Sequence, residues 1–229
     1  MNRPGPARVV VLDPIAESTA DRLRALLPAG FELACATARG DAHLMQLIAD
    51  ADFAIAGQVP VSADVLRAGT RLRLLHKWGV GVDNIDVAAA RSLGIMVART
   101  SGSNAQPVAE FTLGLMLAAL RNLAFGHAEL QKGCWRGSAL PAEPLLLSGK
   151  TVGLVGLGAI GQRVARLLRG FDCQVLYYKR TPLPAGEQTS LGVAYRPLAE
   201  LLAQADVVSL HCPLTDDTRG LIDRPRWPR

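Results

Sequence analysis

A chain of 229 residues that is 49% hydrophobic is long enough to form one large or two modest domains, each with its own core. Its net charge is +5, yet residues 1–223 contain 22 basic and 20 acidic residues, so most of the excess lies in the last six positions. No basic run is interleaved with aromatic residues. The composition is that of a globular protein and argues against a nucleic-acid partner.

The cysteines and the apolar runs bear on the compartment of the protein. The cysteines are widely spaced, without a Cys-x-x-Cys pair or a histidine at zinc spacing, which predicts free thiols in a reducing cytoplasm and no metal site. They are Cys35, Cys134, Cys173 and Cys212. The longest apolar run, residues 111–120, is half as long as a membrane span, and residues 9–12 are too few for a signal peptide. We therefore expect a soluble, cytoplasmic protein.

Short strand-like runs alternate with helical patterns over residues 8–98. The predicted strands are residues 8–12, 31–36, 53–55, 72–78 and 95–98, and the predicted helices are residues 16–27, 41–50, 63–68 and 85–93. Strands that alternate with helices indicate a parallel sheet covered on both faces. This part of the chain is expected to form one α/β domain.

A second α/β pattern follows a long apolar segment. Residues 104–123 are apolar almost all round, which predicts one long helix buried between two layers and bridging two domains. Residues 126–149 contain Gly133, Gly137, Pro141 and Pro144 and are expected to form a crossing loop. The second pattern has strands at 151–155, 174–178 and 206–210, with helices at 158–170 and 198–203. Residues 224–229 contain two prolines and three arginines and fit neither period.

Residues 156–161 read Gly-Leu-Gly-Ala-Ile-Gly, the pattern of a dinucleotide-binding loop. Its context supports the assignment, because it follows a predicted strand and opens an amphipathic helix. Gly156 permits a tight turn, Gly158 lets the backbone approach a pyrophosphate, and Gly161 lets the helix pack closely. The amides expected to face the phosphates are those of Ala159 and Ile160. The alternative is a glycine turn with no ligand.

The end of the second strand bears on the choice of cofactor. An NAD-preferring site has an acidic residue there that binds the ribose 2′-hydroxyl, whereas residues 177–181 read Tyr-Tyr-Lys-Arg-Thr. Lys179 and Arg180 would instead neutralise a 2′-phosphate. We therefore expect NADP(H) to be preferred, with NAD(H) as the other cofactor. The alternative is that the two cations are only a solvated strand end.

Three motifs in order resemble one family. Residues 78–86 read Trp-Gly-Val-Gly-Val-Asp-Asn-Ile-Asp and are followed by Gly94-Ile95 and by Val-Ala-Glu at 108–110; the glycine loop comes next, and then residues 201–223. Together they resemble the D-isomer-specific 2-hydroxyacid dehydrogenases, from about Arg8 to Asp223. The resemblance implies an α/β protein with a flavodoxin-like substrate-binding domain at residues 1–103. It also implies a Rossmann doubly wound parallel sheet at residues 104–229, incomplete after its first half.

The same resemblance assigns roles to single residues. The amides of Val80 and Gly81 would hold the carboxylate of a small 2-keto or 2-hydroxy acid, although this loop read alone could be only a turn. Cys212 and Pro213 would lie along the cofactor ribose, with no reactive thiol, and His211 would have a structural role. Asp83 and Asn84 are expected to cap the next helix. A homodimer through the long-helix region is the family expectation.

Reduction of a 2-keto acid needs a hydride donor, an orienting cation and a proton donor. The family's arginine and its histidine with a glutamate partner match positions beyond Asp223, so we expect no catalytic residue in this chain. The sequence suggests a premature end, with strand 151–155 left as an exposed apolar edge. The chain is then a dehydrogenase by descent that is inactive alone. The alternatives are a non-catalytic dinucleotide-binding or protein-interaction module, or a gene remnant.

Overall fold

The computed structural model describes residues 5–135 and 140–223. The chain divides into two compact units, unit 1 at Met1–Ser101 and unit 2 at Gly102–Arg229, and each is described by itself. Residues 224–229, for which no regular structure is expected, and Gly137 of the expected crossing loop lie outside the described residues.

Unit 1 is a five-stranded parallel sheet with helices between its strands. Its strands are β1 (Ala7–Val11), β2 (Phe31–Cys35), β3 (Phe53–Ala56), β4 (Leu74–Lys77) and β5 (Met96–Arg99), and its helices are α1 (Glu17–Leu26), α2 (Asp41–Ile48), α3 (Ala63–Ala68) and α4 (Val87–Ser92). The order β2-β1-β3-β4-β5 is flavodoxin-like. The interior strand β1 buries Val9, Val10 and Val11 in succession, as expected for a sheet covered on both faces.

Unit 2 contains a second parallel sheet. Its helices are α5 (Ala105–Leu120), α6 (Leu123–Gln131), α7 (Ala159–Leu168), α8 (Ala185–Leu191) and α9 (Leu198–Gln204), and its strands are β6 (Thr151–Val155), β7 (Gln174–Tyr178), β8 (Val193–Tyr195) and β9 (Val207–Leu210). The order β8-β7-β6-β9 follows the first four strands of the Rossmann order 3-2-1-4-5-6. Both fold classes expected from the sequence are confirmed.

The expectation that strand 151–155 has an exposed edge is wrong. β6 pairs with β7 on one side and with β9 on the other, so it is central. The edge strands of this sheet, within the described residues, are β8 and β9. The error arose because residues 206–210 were predicted as a strand but not placed beside β6, where a right-handed crossover through α9 brings them.

The long helix expected at residues 104–123 is present as α5, but it ends three residues early, at Leu120. Asn122 has a left-handed backbone, with φ of 54°, and it ends α5 and precedes α6. Asparagine tolerates this conformation better than most residues, which makes it a natural breaking point. The two helix axes differ by 70°. Because α6 continues to Gln131, the loop expected from residue 126 begins later.

α5 is not buried all round. It buries Ala105, Ala109 and Met116, and it packs against α7, whereas Phe111 and Leu115 are 68% and 54% exposed. Across the described residues no single helix has both the length and the apolar character needed to cross a membrane. The bent pair of α5 and α6 meets that test jointly, by length and composition.

Candidate functional site

The glycine loop of unit 2 begins at a residue that only glycine can occupy. Gly156 has φ of +100°, and a Cβ atom there would lie 2.7 Å from the main-chain carbonyl oxygen of His211 and 2.8 Å from the amide nitrogen of Cys212. The end of β9 comes this close because the His211 amide donates to the Val155 carbonyl at 2.7 Å. The turn is therefore packed against main chain on its β9 side.

The other two glycines have different roles. A Cβ atom on Gly161 would lie 2.3 Å from the Gly156 carbonyl oxygen, so this glycine lets α7 pack on the loop. Gly158 is the N-cap residue of α7 and has open space around it, as a close approach by a ligand requires. Within the described residues the amides of Ala159 and Ile160 have no acceptor. They are available to an anion at the positive end of the helix.

A cavity of about 550 Å³ opens beside this loop, a volume typical of ligand pockets. It lies at the carboxyl ends of β6, β7 and β9, where ligands of doubly wound sheets bind. Its lining includes Gly156, Gly158, Lys179, Arg180, Cys212 and Pro213, all expected from the sequence to contact the cofactor. Ala159, Ile160 and Gly161 do not line it, since they belong to the first turn of α7 behind Gly158.

The cavity wall carries mixed charge. Lys179 and Arg180 follow β7, and Asp217 approaches from the turn after β9. Burial lowers the pKa of His211 below its ordinary value of 6.5, so its ring is neutral at pH 7. The ring Nε2 lies 3.0 Å from the Ser209 hydroxyl oxygen and shares a hydrogen bond with it. This local partner fits the structural role expected for His211.

The turn after β9 supplies wall residues that sequence reasoning did not single out. Thr218 Oγ1 donates to the Pro213 carbonyl at 2.6 Å and accepts from the Thr215 amide at 2.8 Å, which closes the turn. Thr215, Asp217, Thr218 and Leu221 line the cavity. All four lie in the segment 201–223 that carries the family resemblance, and this was the signal that could have identified them.

The glycine-containing loop of unit 1 follows β4. Gly79 has φ of +153°, in the region that favours glycine. In the part of the chain that the structure describes, the amides of Val80 and Gly81 donate to no acceptor, whereas the Val80 carbonyl accepts from Arg99 at 3.3 Å. Two adjacent free amides form the kind of main-chain site that binds a carboxylate.

A buried polar network anchors this loop. Lys77 is only 6% exposed, and its ammonium group donates to the Gly57 carbonyl and, at 2.6 Å, to Asn84 Oδ1. The Asn84 amide group donates to the Gly57 and Val59 carbonyls at 3.2 and 2.6 Å. The network ties residues on both sides of Val80 and Gly81 to the turn after β3.

That turn is held in place by Asp13. Its carboxylate accepts from the amides of Gly57, Gln58 and Val59, and the residue is 8% exposed. Charge-assisted hydrogen bonds of this kind are roughly twice as strong as neutral ones. Asp13 therefore fixes the main-chain carbonyls that Lys77 and Asn84 bind.

The capping role expected for Asp83 and Asn84 is wrong. The N-cap residue of α4 is Asp86, whose side chain accepts from the Ala89 amide at 2.8 Å. Asn84 is instead drawn to the buried carbonyls of the neighbouring turn, which need its amide donors.

The other titratable groups do not form a further cluster. His76 shares a hydrogen bond with Thr100 at 2.8 Å, and His43 accepts from the Thr37 amide at 3.1 Å. No group of three histidine, cysteine, aspartate or glutamate side chains among residues 5–135 and 140–223 could hold a metal ion. Burial raises the pKa of the Cys35 and Cys173 thiols, which keeps both protonated at pH 7.

Comparison with known proteins identifies a family for the chain. Residues 113–227 match the family described as "D-isomer specific 2-hydroxyacid dehydrogenase, NAD binding domain". A hydroxypyruvate reductase from Thermotoga maritima is 41% identical over 183 residues, or 80% of this chain. A D-3-phosphoglycerate dehydrogenase from Mycobacterium leprae is 36% identical over 94% of the chain. The crystal structure of the TT0316 protein from Thermus thermophilus superimposes with a TM-score of 0.81, at 36% identity, over 96% of this chain and 69% of that one.

The chain is shorter than these curated relatives. It spans 58% of the length of the hydroxypyruvate reductase and 40% of that of the phosphoglycerate dehydrogenase.

Proposed function

Because the chain belongs to the D-isomer-specific 2-hydroxyacid dehydrogenases, we propose that it is the dinucleotide-holding and carboxylate-holding part of an oxidoreductase that acts on small 2-keto or 2-hydroxy acids. The observation that carries the proposal is the cavity lined by Gly156 and Gly158 of the glycine loop and by the cations Lys179 and Arg180. The free amides of Ala159 and Ile160 belong to the helix that this loop opens. In this assignment residues 1–103 bind the acid and residues 104–229 bind the dinucleotide.

NADP(H) is the preferred cofactor in this proposal. The end of β7 carries Lys179 and Arg180 where an NAD-preferring site has a carboxylate. An arginine can form paired hydrogen bonds with a phosphate, and a lysine adds a second positive charge. Asp217 on the opposite turn offsets one of these charges and leaves a net positive wall. Cys212 and Pro213 lie along the ribose, and Gly156, Gly158, Ala159, Ile160 and Gly161 form the phosphate loop.

The free amides of Val80 and Gly81 hold the substrate carboxylate. Hydrogen bonds from main-chain N–H groups to a carboxylate are charge-assisted, and the anchored loop presents them without a further ordering cost. A bound nicotinamide dinucleotide supplies the hydride for reduction of the keto group. The residues of this chain bind and orient the acid and the dinucleotide.

The 229-residue chain by itself is expected to show no turnover. Reduction also needs a proton donor near the keto oxygen. His43, His76 and His211 are hydrogen-bonded to Thr37, Thr100 and Ser209, respectively. Burial also lowers the pKa of His211, which keeps its ring neutral at pH 7. His127 lies on the exposed surface of α6. None of the four matches the family's catalytic histidine.

The proposal extends to assembly and compartment. The exposed apolar side chains of α5 and α6, including Phe111, Leu115, Leu123 and Leu130, favour a homodimer through this region over a nucleic-acid or membrane partner. We place the protein in the cytoplasm, where its four half-buried thiols stay reduced.

Isothermal titration of the chain with NADPH and NADH tests the cofactor assignment. Wild-type protein should bind NADPH more tightly, and the double variant Lys179→Ala/Arg180→Ala should lose about ten- to a hundredfold of NADPH affinity, the worth of one or two charge-assisted contacts. Arg166→Ala is the matched control, since it removes an exposed positive charge of unit 2 that does not line the cavity. Tighter binding of NADH by the wild type would overturn the preference.

Activity and folding separate the remaining alternatives. NADPH consumption with glyoxylate or hydroxypyruvate above background would overturn the expected lack of turnover. A midpoint temperature of thermal unfolding that rises on addition of NADPH supports a binding module. The absence of a cooperative transition would instead identify a gene remnant.

A further inference from the structure

The segment that carries Lys179 and Arg180 has no regular structure of its own. It runs from residue 179 to residue 184, between β7 and α8. Within the described residues, the main chain of 179–183 makes no hydrogen bond to another main-chain group. The segment is held instead at one residue, Leu183, by two side chains.

The first of these side chains is Tyr177, one residue before the end of β7. Tyr177 is fully buried, and its hydroxyl oxygen accepts a hydrogen bond from the Leu183 amide at 2.8 Å. The ring packs edge-on against the Tyr195 ring, with centroids 5.6 Å apart. A buried hydroxyl is unfavourable unless it is hydrogen-bonded, and a phenylalanine would fill the same space without that requirement. The hydroxyl is therefore explained by its contact with the segment.

The second side chain is Gln188 in α8. Its amide nitrogen donates to the Leu183 carbonyl at 2.8 Å, and its amide oxygen accepts from the Tyr195 main-chain amide at 3.1 Å. Gln188 thus joins the segment to β8. Both main-chain groups of Leu183 are satisfied by partners that belong to the sheet and its covering helix, and the Leu183 side chain packs on the same core.

We propose that Tyr177 and Gln188 are positioning residues for recognition of the 2′-phosphate of NADP(H). By fixing Leu183, they hold the six-residue segment so that Lys179 and Arg180 face the cavity before the ligand arrives. Preorganisation of this kind raises affinity because less chain entropy is lost on binding. The inference rests on the proposed preference for NADP(H). Neither residue touches the ligand, so both act through the two cations.

Titration with 2′-phospho-ADP-ribose and with ADP-ribose isolates the phosphate contribution, because the two probes differ only in that group. Tyr177→Phe in the full chain removes the hydroxyl and keeps the ring. We expect the affinity for 2′-phospho-ADP-ribose to fall about fivefold, the worth of one neutral hydrogen bond, while the affinity for ADP-ribose changes less than twofold. Hydrogen exchange of residues 179–184 should quicken in the same variant.

Two further variants keep the test decisive. Gln188→Ala should reproduce both effects, and it covers the case in which Tyr177→Phe fails to fold, since alanine suits the helix. Tyr195→Phe is the matched control, because its hydroxyl makes no hydrogen bond within the described residues; it should leave both affinities and the exchange unchanged.

Each unfavourable result has a distinct meaning. Equal weakening of both probes would show a merely structural role and overturn the inference. If the wild type prefers 2′-phospho-ADP-ribose and both Tyr177→Phe and Gln188→Ala retain that preference, the positioning role is overturned and the proposed preference for NADP(H) stands. A wild type that does not distinguish the probes would overturn the cofactor preference and this inference with it.

Discussion

Units 1 and 2 each present main-chain amides from a glycine-containing loop that follows a central parallel strand, yet the two loops are held by different means. The loop of unit 2 is packed against main chain, with Gly156 against β9 and Gly161 against Gly156 itself. The loop of unit 1 is held by the side chains of Lys77, which is buried, and Asn84, which is partly buried. A loop held by main chain depends on the absence of side chains, and a loop held by side chains depends on their presence.

This contrast predicts that the largest effect comes from adding one methyl group to the loop of unit 2. Gly161→Ala places a Cβ atom against the Gly156 carbonyl, and neither main chain can move without disturbing β6 or α7. We expect a loss of unfolding free energy on the order of 3 kcal/mol and loss of dinucleotide binding. Urea denaturation followed by circular dichroism measures the first, and titration with NADPH measures the second.

Two glycine variants serve as controls for that experiment. A Cβ atom on Gly170 meets open space, so Gly170→Ala should change neither stability nor affinity. Gly158→Ala also meets open space within the protein, and it should lower dinucleotide affinity at a stability cost smaller than that of Gly161→Ala, since alanine is only a poorer N-cap residue. If Gly161→Ala were as stable as Gly170→Ala, the main chain around Gly161 could shift to accommodate a Cβ atom. The contrast between the two loops would then be wrong.

In unit 1 the corresponding change is the removal of a side chain. Asn84→Ala leaves the Lys77 ammonium group without one acceptor and leaves the Val59 carbonyl without that donor. Stranding buried polar groups in this way should lower the unfolding free energy of unit 1 by about 2 kcal/mol. Denaturant unfolding, monitored by hydrogen exchange of residues 74–99, resolves the loss within this unit.

Asp86→Ala is the matched comparison, since it removes the N-cap of α4 and leaves the hydrogen bonds of Lys77 and Asn84 in place. Its loss should be about 1 kcal/mol. Asp83→Ala should be close to neutral, because the Asp83 side chain makes no hydrogen bond in the described chain. An effect of Asp83→Ala larger than that of Asn84→Ala would contradict the assignment of the network.

The smallest expected effect is a pH dependence confined to unit 2. Burial lowers the pKa of His211 in the folded protein below its ordinary value of 6.5. The unfolded chain therefore binds a proton at this residue more readily than the folded chain does. Stability should therefore fall as the pH drops below about 6.5, until the folded-state pKa is reached. Thermal unfolding between about pH 7.5 and 5 should show this slope in the wild type and a flatter one in His211→Asn.

His127→Asn is the control for that series, since His127 is an exposed histidine of the same unit. It should keep the wild-type slope. An equal slope in His211→Asn and the wild type would assign the pH dependence to other groups.

The difference between the loops also explains what could be predicted from the sequence. The loop of unit 2 is encoded by three glycines within six residues, so its strand, turn and helix were predictable. In the network of unit 1, the hydrogen bonds of Lys77 and Asn84 to the Gly57 and Val59 carbonyls join residues 20 to 27 positions apart. The pairing of Asn84 with Gly57 exists only after β3 and β4 lie side by side. Sequence reasoning therefore assigned Asn84 the local role of a cap, which Asp86 fills.

The other incorrect predictions depended on tertiary structure that the sequence pattern does not reveal. The apolar pattern of residues 104–123 continues across Asn122, and composition carries no sign that one residue there adopts a left-handed backbone. The position of β9 beside β6 depends on a crossover rather than on the residues of either strand. The hydrogen bonds of Tyr177 and Gln188 to Leu183 were not predictable, because α8 and β8 were themselves missed.

The contact between Gly156 and the end of β9 also determines where this region tolerates redesign. Because His211 and Cys212 meet Gly156 through main-chain atoms, their side chains carry no part of that contact. Position 156 therefore accepts glycine alone, whereas position 212 accepts a side chain of similar size, because the Cys212 thiol packs on the cluster of Val155, Leu176, Leu201 and Leu202. A small replacement such as Cys212→Ser changes the wall of the cavity, and the neighbouring turn will keep its shape.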